Sequence, residues 1–271
     1  MKSLADRIGA LAGSAVTACT PLSGGDLSLV VRFVLADGRD GVAKSGPDVA
    51  IEAEMLRTMA VTGVRVPEVL AVGEGLVLMG LVPGQSGPSG AWDDLAGQLN
   101  LLHRGDGGKG EPAYGWPSDY AFGKVAILNK PANEWPAFWA ENRLRCHIPH
   151  LRPQLARRVE ALVDAIGEHL PQSPPPALLH GDLWGGNVMA QGGRVTGLID
   201  PACYHGDREV DAAMLTLFDS PPVRFFDALG LAPGWQERRP VYRLWPLLVH
   251  VRLFGGGYEA SVARDLAALG C

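Results

Sequence analysis

The segment LLHGDLWGGNVMAQGGRVTGLID, residues 178–200, constrains the possible folds more strongly than any other part of the chain. It places His180, Asp182, Asn187 and Asp200 in one short span, with glycines between them. Glycines permit tight turns, and the apolar ALL and GLID that flank the polar residues are typical of buried strands. A loop whose Asp and Asn only cap local backbone is the simpler alternative. The complete polar set favours a catalytic loop followed by a hairpin that returns Asp200 to it.

The polar residues have the spacing that phosphoryl transfer uses. The acceptor hydroxyl needs a carboxylate base, the metal bridging the phosphates needs oxygen ligands, and the triphosphate needs a lysine. Protein kinases meet the first two needs with H-R-D-x-x-x-x-N and a second aspartate. HGDLWGGN matches that spacing. The sequence therefore predicts an ATP- and Mg2+-dependent phosphotransferase, in which Asp182 accepts the hydroxyl proton and His180 orients the loop.

The first 82 residues predict a small lobe of mixed helix and sheet. Leu4, Ile8 and Leu11 have helical spacing, and LSLVVRFVL, ADGRDG and VAK predict a β-hairpin. A further helix should end at Gly63, before two strands around GEG. PGQSGPSG reads as a linker, so we predict a nucleotide-binding lobe over residues 1–82 and a catalytic and substrate-binding lobe over 83–271.

Three features of this first lobe are candidates for nucleotide binding. Lys44 ends the apolar strand GVAK, as the lysine of kinases does, although a lysine in this position is more often solvated. Glu52 is the preferred partner for Lys44, while the alternative is that it only favours a helix N-terminus. Gly24 and Gly25 in LSGGD would form the glycine-rich loop over the phosphates, although the full G-x-G-x-x-G pattern is incomplete.

The second lobe is predicted to be mainly helical. Helices are expected in AWDDLAGQLNLLHRG, over 135–147 and 151–170, in DREVDAAMLTLF and over most of 239–268, with a loop-rich insert at 105–134. Asp211 has two interpretations, a buried support for the catalytic loop or part of a solvated charge run. His103 and Trp135 are expected to have structural roles.

Composition excludes several other classes of function. The net charge is −5 and no polybasic run is present, so nucleic acid and anionic membranes are not expected as partners. The sequence contains no run of about 18 apolar residues, so no membrane span is expected. The four cysteines lie far apart without a CxxC pair, which favours neither disulfides nor zinc and fits a reducing cytoplasm. Cys19 is expected to be a small buried residue.

The motifs LLHGDLWGGN, IDPACYHGDREVDAAM and LFGGGY resemble the fructosamine (ketosamine) kinase family. VPEVLAVG, NEWPAFWAENRL and RPVYRLWPLLVHVRLFGGGY extend the resemblance over nearly the whole chain. It implies an α+β, bilobal, protein-kinase-like fold with a β-rich N-lobe and a larger helical C-lobe. It also implies phosphorylation by ATP and Mg2+ of the 3-hydroxyl of a sugar joined to an amine as a ketoamine. The product of that reaction decomposes and releases the amine, which makes the activity a deglycation repair step.

The resemblance also assigns roles by motif. Asp182 would be the base, Asn187 and Asp200 the Mg2+ ligands, and Lys44 the phosphate ligand that Glu52 orients. Backbone groups of the interlobe hinge would bind the adenine edge, and these belong to Gly80, Leu81 and Val82. Gly80 departs from the acidic residue often found in the family, and the segment SDYAFGKVAILNKPANEW departs from the usual run before N-x-W. Because that segment is expected to line the acceptor site, the departure leaves the substrate open.

Aromatic and imidazole side chains near the catalytic loop are candidate substrate contacts, because their faces stack on sugar rings. They are Trp116, Trp184, Tyr204 and His205. Two alternatives to a ketosamine kinase stay open, a related kinase of the aminoglycoside or choline type and a non-catalytic pseudokinase, the second disfavoured because Lys44, Asp182, Asn187 and Asp200 are all present. The preferred amine and sugar, a free or protein-bound substrate, and the oligomeric state are not predicted.

Overall fold

The computed structural model of the chain describes residues 3–22, 29–88, 90–104 and 114–271. Its N-terminal part is built on a five-stranded antiparallel sheet with the strand order β1-β2-β3-β5-β4. The predicted first helix, the hairpin, the helix before Gly63 and the two strands around GEG are confirmed. In chain order, the elements are α1 (Leu4–Ala12), β1 (Val16–Pro21), β2 (Leu29–Leu35), β3 (Asp40–Ser45), α2 (Val49–Val61), β4 (Val69–Gly73) and β5 (Leu76–Met79).

Two helices, α1 and α2, pack against the sheet in separate apolar clusters. Ile8 of α1 is fully buried in a cluster with Val31 and Phe33, alternate residues of β2 that share one face of the strand. Leu56 of α2 packs against Val77 of β5 in a separate cluster. The helix α2 thereby lies beside the strands that carry the predicted nucleotide ligands.

The C-terminal part is mainly helical, as predicted, so the α+β class is confirmed. The helices are α3 (Trp92–Arg104), α4 (Trp135–Trp139), α5 (Pro153–Asp164), α6 (Ile166–His169), α7 (Glu209–Phe218), α8 (Val223–Leu229), α9 (Trp235–Phe254) and α10 (Glu259–Ala268). A short turn, Gly256–Tyr258, separates α9 from α10. The largest apolar core belongs to this part and includes Trp135, which is buried at the start of α4 as expected.

Two predicted helices are interrupted. The stretch expected as one helix over 135–147 continues after α4 as a π-helical turn, Ala140–Leu144, and then a 3-10 turn, Arg145–His150. The wider turn carries Arg143, whose fully buried guanidinium lies 4.1 Å from the centre of the Tyr204 ring. The helix expected over 151–170 is broken at Ala165, where the chain is redirected and Ile166 becomes buried.

The predicted loop-rich insert contains regular structure. Residues 105–113 lie outside the described part of the chain, but β7 (Tyr120–Phe122) and β8 (Val125–Ile127) form an antiparallel hairpin. Val125 and Ile127 are buried in the main core. The insert is thus packed on the core through β8, and β7 is held by its pairing with β8.

Short strands assemble the catalytic segment. The strand β9 (Ala177–Leu179) pairs with β12 (Tyr204–Gly206), and β10 (Val188–Gln191) forms a hairpin with β11 (Arg194–Leu198). The predicted linker also contributes a strand, β6 (Gln85–Ser86), which pairs with β10. The boundary after residue 82 stays a prediction. Because both pairings start and end near the polar residues, they bring the two ends of the segment 178–200 together.

No helix within the described ranges combines the length and apolar character that a membrane span requires. All four cysteines are free thiols. Cys19 is exposed on the outermost strand of the sheet, so the expectation that it is buried was wrong. An edge strand has one neighbour only, which leaves its outer residues open to solvent.

Candidate active site

The catalytic loop turns at Gly181, where only glycine fits. Gly181 has a φ of +78°, and a Cβ atom there would lie 2.0 Å from the carbonyl oxygen of Ala202. The Ala202 amide donates to the His180 carbonyl at 2.9 Å, and the Ile199 amide donates to the Asn187 carbonyl at 3.0 Å. These bonds join the two ends of the predicted polar segment. The structure therefore brings the predicted polar residues of this segment close together.

Asp211 anchors this loop from α7. It is fully buried and accepts the His180 amide at 2.9 Å and the Gly181 amide at 3.0 Å. His103 Nε2 lies 2.9 Å from the same carboxylate. Burial alone would raise the pKa of Asp211, but its contacts with His103 and His180 hold that pKa below its ordinary value. Of the two predicted interpretations, the buried support describes its position.

His180 is held as a neutral imidazole. The Asp182 amide donates to His180 Nδ1 at 3.3 Å, so the ring proton lies on Nε2 and is donated to the Ile199 carbonyl at 3.0 Å. Burial lowers the pKa of His180, although the nearby Asp211 opposes this. A neutral ring bonded at both nitrogens has no lone pair left for proton exchange. Its contacts suit an orienting role.

Asp182 lines the cavity and is partly exposed, and its environment favours the protonated form. Burial raises the pKa of its carboxyl to about 7, against the opposing hydrogen bond from Asn187. Asn187 Nδ2 donates to the Asp182 carbonyl at 2.8 Å and to Oδ2 at 3.1 Å. A carboxylate with a pKa near neutrality can accept a proton more readily than an ordinary aspartate.

Lys44 joins three separate segments at the other side of the site. Its Nζ lies 2.7 Å from Glu52 Oε2 and 2.9 Å from Asp200 Oδ1. Asp200 has a φ of +53°, the left-handed region that non-glycine residues rarely adopt, which turns its side chain towards Lys44. Burial opposes the charge of Lys44 and raises the pKa of Glu52. The two carboxylates still hold the pKa of Lys44 above its ordinary value, because they place two negative groups around one ammonium.

Tyr120 also belongs to this group, although the sequence reasoning did not single it out. Its hydroxyl donates to Glu52 Oε2 at 3.2 Å, the same oxygen that Lys44 contacts. The only available signal was its place in SDYAFGKVAILNKPANEW, the segment expected to line the acceptor site. The hydrogen bond connects that segment directly to α2.

These polar groups border a cavity of about 500 Å³ that opens over the catalytic loop. The lining includes the polar residues Lys44, Glu52, Asp182, Asn187 and Asp200. It also contains aromatic and imidazole rings, among them the predicted Trp184. The other rings were missed, because they come from three distant segments: Tyr120, Phe122, Phe218, Trp245, His250, Phe254 and Tyr258.

Trp184 is held over the loop by its neighbours. A Cβ atom at Gly186 would lie 2.2 Å from the Trp184 ring, so the indole covers the position that glycine leaves open. The Gly185 amide donates to Asp219 Oδ2 at 2.7 Å, and Phe218 lies edge-on to the indole with 6.1 Å between ring centroids. The glycine pair after Trp184 therefore permits its position.

Three predicted substrate contacts do not line the cavity. Tyr204 has no exposed surface, because Phe138, Trp245 and the Arg143 guanidinium enclose its ring. Trp116 is 6% exposed and stacks on His205, with 6.0 Å between ring centroids. The backbone of His205 pairs with Gly115. None of the three residues is among those that line the cavity, so the structure does not bring them to the position that the prediction expected.

Neither the predicted hinge residues nor the predicted glycine loop can be placed at the cavity. Gly24 and Gly25 lie outside the described residues. Gly80, Leu81 and Val82 follow β5 as expected but do not border the cavity. The Gly80 amide already donates to the Glu68 carbonyl at 2.8 Å, so it is not free to donate to adenine.

The donor set suits a magnesium ion shared with a nucleotide. The nitrogen of the Asn187 amide donates to Asp182, which leaves the amide oxygen for a cation, and the Asp200 side chain is 39% exposed. No group of three or more His, Cys, Asp or Glu side chains suited to a metal occurs among the described residues. Mg2+ commonly uses one or two protein oxygens together with phosphate and water.

Residues 21–269 match the family model described as fructosamine kinase. The chain belongs to the fructosamine kinase family. A probable ketoamine kinase from Thermus thermophilus is 38% identical over 268 residues, which cover 92% of each chain. A probable ketoamine kinase from Escherichia coli is 34% identical over 257 residues, which cover 87% of this chain and 85% of the relative. Family membership makes the chain a kinase, a phosphotransferase with a hydroxyl acceptor.

Solved structures agree with this assignment. A crystal structure of a candidate fructosamine-3-kinase from Thermobifida fusca superposes with a TM-score of 0.87 at 32% identity and covers 98% of both chains. An aminoglycoside phosphotransferase crystallised with AMP-PNP and hygromycin B has a TM-score of 0.70 at 19% identity and covers 98% of this chain and 96% of its own. The second likeness concerns the fold alone. The protein-kinase-like fold of this family member is thereby confirmed.

Proposed function

We propose that this fructosamine kinase family member transfers the γ-phosphoryl group of ATP to the 3-hydroxyl of a sugar that is joined to an amine as a ketoamine. The observation that carries the proposal is the position of Asp182. Its carboxyl lies in the cavity with a pKa near neutrality, opposite the Lys44 ammonium and beside Asn187. The family assignment and the ketoamine kinase names of the relatives support the same reaction. Decomposition of the phosphorylated product would release the amine, which is a deglycation step.

The residues divide the work of the transfer. Asp182 takes the proton of the acceptor hydroxyl as the new oxygen–phosphorus bond forms, and the bond between the γ-phosphorus and the bridging oxygen of ADP breaks. Lys44, oriented by Glu52, holds the phosphate oxygens. Asn187 and Asp200 would hold Mg2+, which neutralises phosphate charge when it is bound. Asp200 also pairs with Lys44, which links the lysine to the metal-binding side of the site.

The non-catalytic alternative is disfavoured by the geometry. A pseudokinase has no need to keep the base, the metal ligands and the lysine in mutual contact. Here Asn187 bonds Asp182, while Lys44 bonds both Glu52 and Asp200. A kinase of the aminoglycoside or choline type would use the same chemistry on a different acceptor, so the choice of acceptor has to be tested directly.

The test is ATP consumption by the purified protein with fructosyl-lysine, ribulosyl-lysine, an aminoglycoside, choline or no acceptor. The Asp182→Asn variant serves as the blank, and its thermal unfolding is compared with that of the parent to establish that it folds. We expect turnover with a ketoamine that disappears in the variant. Turnover with the aminoglycoside or choline alone would refute the ketoamine assignment, and turnover that persists in Asp182→Asn would refute the assigned base.

A further inference from the structure

The cavity has an aromatic side that the phosphoryl transfer itself does not use. We call Trp184, Phe218, His250, Phe254 and Tyr258 the aromatic wall. Ring centroids lie 6.1 Å apart for the first pair, 5.2 Å for Phe218 and His250, and 4.8 Å for His250 and Tyr258. Phe254 lies 5.4 Å from His250. The wall therefore runs without interruption from the catalytic loop to the end of α9 and the turn after it.

Much of this wall is open to solvent. Trp184 is 40% exposed, Phe218 43% and Phe254 53%. Contiguous exposed apolar side chains are costly to leave in water and commonly mark a binding surface. Three of the wall residues, Phe218, His250 and Phe254, sit on the C-terminal halves of α7 and α9. The exposure indicates a ligand that covers these rings.

We propose that the aromatic wall is the subsite for the amine-side substituent of the ketoamine, and that it selects an apolar or aromatic substituent over a cationic one. The inference rests on the proposed function. The reacting 3-hydroxyl of a ketoamine is only two carbons from the carbon that bears the amine. Asp182 and Trp184 line the same cavity and are two residues apart, so with that hydroxyl at Asp182 the substituent would lie within reach of Trp184, where the wall begins.

The wall itself offers no counter-ion to a ligand with several ammonium groups. Of the carboxylates on the other parts of the cavity lining, Glu52 and Asp200 pair with Lys44, and Asp182 accepts from the Asn187 amide. Two further carboxylates next to wall residues are also occupied. Asp219, next to Phe218, accepts the Gly185 amide, and Glu259, next to Tyr258, pairs with Arg152. Asp48, at the start of α2, also borders the cavity but is not part of the wall. A substituent with extra ammonium groups would lose water against the rings without gaining a counter-ion.

His250 keeps the wall uncharged and rigid. Its ring contacts Phe218, Phe254 and Tyr258, and its Nδ1 donates to the Pro246 carbonyl at 2.7 Å. Burial lowers the pKa of His250, so the imidazole is neutral near pH 7. The hydrogen bond within α9 fixes the His250 ring, and the neutral ring offers its face to an apolar group. It carries no positive charge that would act on a charged substituent.

The experiment uses ketoamines that share one sugar and differ only in the amine: benzylamine, glycine and 1,4-diaminobutane adducts of fructose. We expect kcat/KM for the benzyl adduct to exceed that for the glycine adduct by about tenfold or more, mainly through KM, since apolar pocket contacts contribute on that scale. The diaminobutane adduct should be the poorest. Phe254→Ala and Phe218→Ala should each reduce the benzyl-to-glycine ratio severalfold. Leu101→Ala, which removes an exposed apolar side chain on α3, is the matched control and should keep the ratio.

Equilibrium binding of the same adducts to the nucleotide-free protein, followed by calorimetry, separates this inference from the proposed function. Equal kcat/KM for the three adducts, a preference for the diaminobutane adduct, or a ratio unchanged in both phenylalanine variants would overturn the subsite. Absence of turnover with all three, together with tighter binding of the benzyl adduct that Phe254→Ala abolishes, would refute the kinase function and support the subsite. Absence of both turnover and selective binding would overturn both.

Discussion

Replacing Tyr120 with phenylalanine removes one hydroxyl group and should weaken catalysis more than it weakens the fold. That hydroxyl donates to Glu52 Oε2 at 3.2 Å, and the same oxygen receives Lys44 at 2.7 Å. Glu52 Oε1 has no hydrogen-bond partner among the described residues, so Tyr120 is one of two polar side chains that hold this carboxylate. Without it, Glu52 can rotate and Lys44 loses its fixed position.

The size of the effect follows from the geometry. A hydrogen bond to a charged group contributes about 1.5–3 kcal/mol, and the 3.2 Å distance favours the lower end. A loss of about 1.4 kcal/mol of transition-state stabilisation is a tenfold loss in rate. We therefore expect kcat/KM for ATP to fall about tenfold in Tyr120→Phe. The ring keeps its edge contact with Phe122, so the hairpin should stay in place.

Tyr114→Phe is the matched control, because this buried tyrosine donates its hydroxyl to the Pro174 carbonyl at 2.7 Å, outside the cavity. Tyr114→Phe should lose about 1 kcal/mol of unfolding free energy in urea, the usual contribution of a neutral hydrogen bond, and Tyr120→Phe about 1.5 kcal/mol. Only Tyr120→Phe should change the steady-state kinetics with ATP. Equal kinetic losses in both variants, or a parental kcat/KM in Tyr120→Phe, would refute the reasoning.

Three further predictions concern the loop anchor Asp211, the buried His147 of the Arg145–His150 turn, and Gly186 beneath Trp184. Asp211→Asn leaves the His180 amide or the Gly181 amide without its charged acceptor. The variant should therefore lose about 3–5 kcal/mol of unfolding free energy, measured in urea. A loss below about 1 kcal/mol would contradict the anchoring role. Burial lowers the pKa of His147 from 6.5 to about 3, so its contribution to stability is complete above pH 6.5 and is lost as the pH falls towards 3, by about 1.4 kcal/mol per pH unit. Urea midpoints measured between pH 7 and pH 5 should fall more steeply in the parent than in His147→Gln, and parallel curves would rule this out. Gly186→Ala should displace the Trp184 ring, raise KM for the acceptor severalfold and leave the melting temperature nearly unchanged, which kinetics and tryptophan fluorescence would check.

Local spacing explains why much of the catalytic segment was predictable. Gly181 and the flanking apolar strands belong to one continuous stretch, so the turn and the positions of Asp182 and Asn187 depend mainly on neighbouring residues. Lys44 and Glu52 are close in sequence, at the end of β3 and the start of α2, and a strand followed by a helix brings such residues together. The contact between them follows from short-range connectivity.

Other predictions failed because burial depends on partners distant in sequence. The pattern YHG does not reveal that Tyr204 pairs with Leu179 and packs beneath Arg143, and the π-helical turn that delivers Arg143 has no apolar period of its own. An aromatic residue near a catalytic loop therefore looked like a substrate contact. Its position in β12 turns the ring into the core.

The sequence by itself determined the kinase-like catalytic loop, the mixed helix and sheet class and the family, because these depend on spacing and apolar periodicity that are local to the chain. Only the tertiary structure decided the aromatic part of the cavity. Trp184, Phe218 and the residues from His250 to Tyr258 come from separate segments and meet through the packing of α7 against α9. Tyr120 reaches Glu52 only because its hairpin is fixed on the core. Contacts between distant segments depend on how the helices pack, and no short stretch of sequence encodes that packing.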